Sequence, residues 1–457
     1  MPTTDLFRAR RAFLRRASAI AVASGSPLGL NLLAAGAACA QTAGDFKALV
    51  CIHLAGGNDQ SNTLVPMHNA GYTAYAQARP TLALPRDQLL SLSLYDPGGQ
   101  MLGLNPALAA LKPLFDQGRI AVLANVGPLA APITKAQWNR GAPTVPVPLQ
   151  LTSHSDQTGA WHTAIADRVS ETGWMGRAGD LMAPIFNTDS SVSVAMSTAG
   201  NTMLQVGHQT LQYQLTAQGA VKVRALDGLY NAAAGGNALR AIMTMPRSHY
   251  LEQNLTRIGA RAIASETTVS NALATVQLAT AFPATGLGRQ LQIVARMIAA
   301  RGALQQGRQL YFVQQGGYDF HDNLLGDQAQ RLQELGDAMA AFQAAIEALG
   351  VASGVTAFTT SEFGRALQSN GRGADHGWGS HHLIMGGAVL GNRVYGQFPE
   401  VALGAAQDAG QGRLIPTTSV DEYVATLARW WGVPDDAMHW VAPNLDRFPT
   451  PNLGFLA

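Results

Sequence analysis

Cysteine is almost missing from this chain, with two residues, Cys39 and Cys51, in 457. Cys39 falls in a segment that reads as removable, which leaves Cys51 alone and excludes an intramolecular disulfide. Cys51 lies within Ala48-Leu-Val-Cys-Ile-His-Leu54 and reads as a small buried hydrophobe of a strand. Charge is also scarce. Asp, Glu, Lys and Arg make up 13% of the chain, against roughly a quarter in an ordinary soluble domain. Hydrophobic residues make up 47%. That balance excludes a disordered, solvating chain and requires a large buried core. No Lys/Arg stripe with interleaved aromatics is present, so the composition argues against a nucleic-acid partner. Gly371-Arg-Gly-Ala has neither a Walker lysine nor a strand-turn-helix context, so it is no phosphate loop.

A permanent membrane span is missing as well. Near the N-terminus the apolar run is broken by Ser24-Gly25-Ser26-Pro27, short of the ~20 apolar residues a span needs. What stands there is an address. Arg10-Arg11-Ala12-Phe13-Leu14-Arg15 resembles a twin-arginine export signal. Ala38-Cys39-Ala40 then supplies small residues for cleavage, giving a signal peptide over residues 1–40. Its partner would be the twin-arginine translocase, and the expected destination is periplasmic or secreted. Without Arg8, Arg10, Arg11, Arg15, Arg16 and Asp5 the remainder is close to neutral, slightly on the acidic side.

Residues 41–457 read as one α/β domain. Lys47 to Leu54 is a nearly continuous apolar run ending at Gly-Gly, as a buried parallel strand should be. Pro106 to Gln117 has helical spacing with Asn105 as cap and a kink or an early end expected at Pro113. Arg119 to Ala124 is the next strand, completing a β-α-β rhythm. From about Gly141 to Gly286 the pattern changes to an inserted helical and hairpin cap region. Within it, Ser191 to Met196 and Thr202 to Val206 are expected to pair as a hairpin, and Leu226 to Arg301 to be helical with breaks near Gly235-Gly236 and Phe282-Pro283. The α/β rhythm resumes with a strand at Gln309 to Val313, a helix over Asp327 to Leu349, strands at Val355 to Thr359 and His382 to Met385, and a helix capped by Ser419.

Against this background of few charges, Ala374-Asp375-His376-Gly-Trp-Gly-Ser-His381-His382 packs one carboxylate and three imidazoles into nine residues. Such donors, spaced by small residues, suit a borderline metal such as zinc. Two further Gly-bordered loops carry donors: Asp59 in Leu54-Ala-Gly-Gly-Asn-Asp59, and Asp319 with His321 in Gly316-Gly-Tyr-Asp319-Phe-His321. Ligands of an open parallel sheet collect beyond the strands' carboxyl ends, where Asp59, Asp319 and Glu362 should lie.

Three blocks in this order, Leu54-Ala-Gly-Gly-Asn-Asp59-Gln-Ser-Asn-Thr-Leu-Val-Pro66, Thr360-Ser-Glu362-Phe-Gly-Arg365 and the Asp375-His376 segment, resemble the exported family called domain of unknown function 1501. That family is grouped with alkaline-phosphatase and sulfatase-like proteins. The resemblance, running from about Phe46 to the C-terminus, implies a central, mostly parallel sheet flanked by helices and a site for two divalent ions. In that pattern Asp59, Asp375 and His376 would hold one ion, and Asp319, His321 and either His381 or His382 the other. The Asp319–His321 spacing is tighter than in the phosphatases. No Cys-x-Pro-x-Arg motif is present, so a formylglycine is not expected. Ser153 matches the hydroxyl nucleophile, with His154 as ligand or proton shuttle; the alternative is that Ser153 and Asp156 form a turn that caps a helix. Arg365 could clamp an oxyanion and Glu362 orient a ligand, or the two could simply support their loop.

Two functions follow as expectations. One is an exported metal-dependent hydrolase of phosphate or sulfate esters on a small molecule or polymer. The other is a non-catalytic, metal-binding envelope protein that holds a partner or surface polymer.

Overall fold

Alternation decides where Lys47–Leu54 sends its side chains. Ala48, Val50, Ile52 and Leu54 join one apolar cluster while Leu49 and Cys51 join another, as successive residues of a strand buried on both faces must. This computed structural model describes residues 46–94, 98–140, 145–228 and 232–457. The export signal read over residues 1–40, and Gly141 and Pro143 at the start of the changed region, lie outside the described residues.

Numbered along the chain, the strands are β1 (Lys47–Leu54), β2 (Leu64–Pro66), β3 (Leu90–Leu92), β4 (Leu102–Leu104), β5 (Ile120–Gly127), β6 (Ala195–Ser197), β7 (Tyr213–Thr216) and β8 (Gly219–Ala220). They continue as β9 (Arg308–Gln315), β10 (Val355–Thr360), β11 (Arg365–Ser369), β12 (Ala374–His376), β13 (Ser380–Gly386), β14 (Val394–Gly396) and β15 (Thr418–Ser419). The main sheet runs β14-β5-β13-β10-β1-β9-β6-β7-β8, with β15 also on β5. From β10 through β7 every pairing is parallel, whereas β13 is antiparallel to both its neighbours. The architecture is therefore a mixed, mostly parallel sheet with helices on both faces.

One face is covered by the helices Gly286–Ala299 and Leu324–Ala348, through Leu291, Val294 and Ile298 and through Leu335, Met339 and Phe342. The other is covered by Trp174–Phe186 and Val420–Trp431, through Trp174, Ala178 and Met182 and through Tyr423, Leu427 and Trp431. Ser419 and Glu422 close a capping box at the start of the last helix, satisfying amide groups the helix itself leaves open.

Several local expectations shift. Pro113 does not kink a helix. It stands in the first turn of Lys112–Asp116, where its missing N–H is not needed, after a 3-10 stretch over Pro106–Leu111 capped by Asn105. Ser191 to Val206 is not a hairpin, because Ala195–Ser197 enters the main sheet parallel to β9 and Met203–Gln205 forms a 3-10 turn. The hairpin of this region is β7–β8 instead. Gly235-Gly236 does not break the helix Ala233–Thr244; a Cβ on Gly236 would stand 2.5 Å from the Leu226 carbonyl oxygen, so the glycine serves close packing.

Because β10, β1 and β9 are adjacent and parallel, their carboxyl ends lie together at one edge. The loops leaving them carry Glu362, the Gly56-Gly57 pair and Asp319. The hairpin β11–β12 sets Arg365 opposite His376 at the same edge.

Candidate metal centre

Asp319 is the hub. His154, Asp319 and His376 offer ligand atoms within 4.8 Å of one another. Asp319 Oδ1 lies 3.3 Å from His376 Nε2 and 3.2 Å from His321 Nε2, and Oδ2 lies 3.6 Å from His154 Nε2. The Nε2 atoms of His321 and His376 are 2.9 Å apart. Zinc bonds of about 2.0–2.2 Å imply tetrahedral ligand atoms roughly 3.3–3.6 Å apart, close to the spacing found around Asp319. The mixed imidazole and carboxylate donors fit a borderline divalent ion better than a hard one that prefers all-oxygen ligands.

Each imidazole is held from behind, which fixes the nitrogen it presents. Glu362 Oε1 lies 2.9 Å from His154 Nδ1 and also accepts the Gly56 amide at 2.8 Å. The Thr152 carbonyl stands 2.8 Å from His376 Nδ1, and Phe363 stacks on that ring at 4.5 Å. Asp375 Oδ1 lies 3.5 Å from His321 Nδ1. Burial pushes the His376 pKa down, with the charges of Arg365 and His154 adding to this against the Thr152 hydrogen bond and Asp319, so the ring is kept neutral and able to coordinate. Burial raises the Asp319 pKa, but the Arg365 hydrogen bond and charge, with His321 and His154, outweigh it and hold the carboxyl below its ordinary value.

Arg365 assembles the loops. Its guanidinium donates to the carbonyls of Gly57 (2.9 Å), Ala374 (3.1 Å), Tyr318 (3.0 Å) and Gly56, and to Asp319 Oδ1 at 2.6 Å. The glycines permit that approach. Gly56 has a φ of +122°, and a Cβ there would stand 2.4 Å from the Asp319 amide nitrogen.

Several expected roles change. Arg365 is fully buried and occupied by the loop carbonyls, so it is not a free oxyanion clamp. Asp59 is fully buried outside the triad; its oxygens accept from Arg79 Nη1 at 2.6 Å and from the Ser61 amide at 3.2 Å. Asp375 supports His321 rather than joining the triad, because neighbours on strand β12 point to opposite sides. The same alternation on β13 separates His381 from His382, and both are buried. His381 Nδ1 accepts the Asn125 amide at 3.0 Å beside Phe398, while His382 packs against Trp161 and Tyr423. Neither is in the triad. Ser153 caps the helix His154–Thr163, and its hydroxyl donates to Asp156 Oδ2 at 2.5 Å. Thr152 and His154 on either side of it both reach the cluster. Phe363 and the Thr152 carbonyl were not singled out by donor counting, since neither residue type signals metal support.

Fold and site together define an α/β protein with a candidate metal triad at the carboxyl ends of parallel strands. The chain belongs to the family described as protein of unknown function (DUF1501), whose sequence profile matches residues 46–439. Among solved structures it is similar to the crystal structure of PsFucS1 sulfatase from Pseudoalteromonas sp., at 11% identity and a TM-score of 0.34, covering 94% of this chain and 74% of that one. No curated protein matches the sequence.

Proposed function

We propose that this protein is an exported, metal-dependent hydrolase of phosphate or sulfate esters, and that its working centre is His154, Asp319 and His376 with His321 beside them. The observation that carries this reading is the convergence of three imidazoles on one half-exposed carboxylate at 3.2–3.6 Å. A divalent ion there would supply a Lewis acid for an ester oxygen and charge for the leaving group. The chain's own contribution is to hold that site open to solvent, keep His376 neutral and carry Ser153 immediately before His154 in the chain. In this reading Ser153 Oγ attacks the phosphorus or sulfur and passes its proton to Asp156 Oδ2, the bond to the ester's alcohol oxygen breaks, and the proton held by Asp156 goes to that oxygen so that the alcohol leaves neutral. Water then releases the phosphate or sulfate from Ser153. The twin-arginine segment over residues 1–40 belongs to the same proposal, as the address that sends the chain to the periplasm or beyond.

Two observations favour the other reading, a non-catalytic envelope protein with a structural metal. Ser153 is already engaged as a helix cap, and Arg365 is consumed by loop carbonyls. Turnover of aryl phosphates and aryl sulfates, measured with and without chelator, separates the two. Chelator-sensitive hydrolysis that His376→Ala abolishes supports the enzyme. Bound metal without turnover of either ester class supports the binding protein.

A further inference from the structure

The longest helix among those outside the two main core layers is half covered. Tyr250–Ala274 spans 25 residues, or about 37 Å. Leu251, Leu255, Ile258, Ala262, Ser265, Val269 and Ala272 advance by alternating steps of four and three, a stripe apolar at every position but Ser265. At the C-terminal end Val269 and Ala272 are buried in the core. At the N-terminal end the same stripe carries Leu251, Leu255 and Ile258, which are 66%, 71% and 65% exposed. Ile242 on the preceding helix, Ala233–Thr244, is 57% exposed. A lone exposed leucine is ordinary, but a stripe that leaves the core and continues bare is a contact surface.

The charge around the stripe says what kind. Residues 221–266 hold Lys222, Arg224, Arg240, Arg247, Arg257 and Arg261 against Asp227, Glu252 and Glu266, the last paired with Lys222 at 3.6 Å, in a chain whose net charge is +2. With 3.6 residues per turn, Arg257 and Arg261 fall on one flank, about 90–130° around from the stripe. The base of the same helix borders a cleft of about 570 Å³ lined by Lys222, Arg224 and Arg296. A second copy of this chain would set like charges against one another, whereas an anionic lipid surface would meet both the apolar stripe and the arginines that flank it. No helix among the described residues is long and apolar enough to cross a membrane, so such contact would be made from the side.

We infer that the overhanging half of the helix Tyr250–Ala274, with its basic flank, docks the protein onto the surface of an anionic lipid bilayer. Its apolar face would lie at the boundary between headgroups and acyl chains while the arginine stems reach up to the phosphates.

The test uses protein secreted by an exporting host, so that wild type and variants share one N-terminus. Each is sedimented with vesicles of phosphatidylglycerol and phosphatidylethanolamine, and with vesicles of phosphatidylcholine alone. The wild type should pellet with the anionic vesicles and release as salt rises. Leu251→Asn with Leu255→Asn should weaken that binding about tenfold or more, as should Arg257→Gln with Arg261→Gln at roughly fivefold per charge. Far-UV circular dichroism and unchanged melting of these surface variants guard against misfolding. Equal binding by wild type and variants overturns the proposal, and so does equal binding to neutral and anionic vesicles. A wild-type dimer that the leucine variant converts to monomer, seen by light scattering, also overturns it in favour of a second copy as the occupant.

Discussion

Asp59 and Asp319 stand in matching local contexts, each two residues after a Gly-Gly pair that follows a buried strand, yet they do different work. Asp59 is closed in by Arg79 and the Ser61 amide, while Asp319 is 48% exposed and surrounded by imidazoles. What separates them is the partner each meets in space, and neither partner is legible from the loop itself. Breaking a buried ion pair from one side typically costs about 3–5 kcal/mol, because the remaining charge is stranded. Asp59→Asn should therefore lose about that much in urea unfolding and keep its bound metal. Asp319→Asn should show the reverse, losing most of the metal with a smaller change in stability. Elemental analysis beside the unfolding curves checks both, and metal loss in Asp59→Asn with stability intact would return Asp59 to the ligand set.

At the scale of elements, strand alternation rearranged what donor counting had gathered. The Asp375-His376 and His381-His382 pairs each lie within a strand, so at most one member of each pair can face a given site. His376 alone faces this one. His376→Ala should therefore abolish metal retention. Asp375→Ala should keep the metal but weaken its binding about 10–100-fold, the usual effect of removing a group that orients a ligand. Titration with a competing chelator measures both, and an Asp375→Ala protein as empty as His376→Ala would make Asp375 a direct ligand. The Thr360-Ser-Glu-Phe-Gly-Arg365 block proved informative for another reason. Glu362 Oε1 lies 2.9 Å from His154 Nδ1, where it can set that ring's direction, whereas Arg365 holds three loops together through their carbonyls. Arg365→Lys cannot reproduce that fork. It should destabilise the protein by a few kcal/mol, about 2–4, and weaken metal binding with it, read by the same two assays. Continuous apolar runs made β1, β5, β9 and β10 legible before the structure. The alternating polarity of the short β6 suggests half of a hairpin, but it pairs parallel to β7 on one side and, on the other, to β9 more than 100 residues away.

For the molecule as a whole, long-range pairing is what the sequence hides: β1 sits between β9 and β10, both drawn from the last third of the chain. The same assembly buries titratable groups in numbers that set its response to acid. Burial lowers the pKa values of His53 and His162, takes His381 down to about 4, and takes His382 to about 3 with help from the charges of His381 and His53. These rings stay neutral in the folded protein, while in the unfolded chain they accept protons below about pH 6.5. As pH falls from 6.5 toward 4 the unfolded state thus gains protons that the folded state refuses, and stability drops. Asp421 works in the opposite sense. Burial raises its pKa to about 8, so the folded carboxyl already holds a proton that the unfolded one takes up only near pH 4, and acidification favours folding there. Burial raises the Glu422 pKa too. Four imidazoles outnumber two carboxyls, so the net slope should be a loss of about 1–3 kcal/mol per pH unit below 6.5. Urea unfolding of the chelator-treated protein at pH 6.5, 5.5 and 4.8 measures it. His382→Gln, which removes one of the refused protons, should reduce the slope by about 1.4 kcal/mol per pH unit. A stability that is flat or rises on acidification would mean that these imidazoles are not held neutral in the folded core.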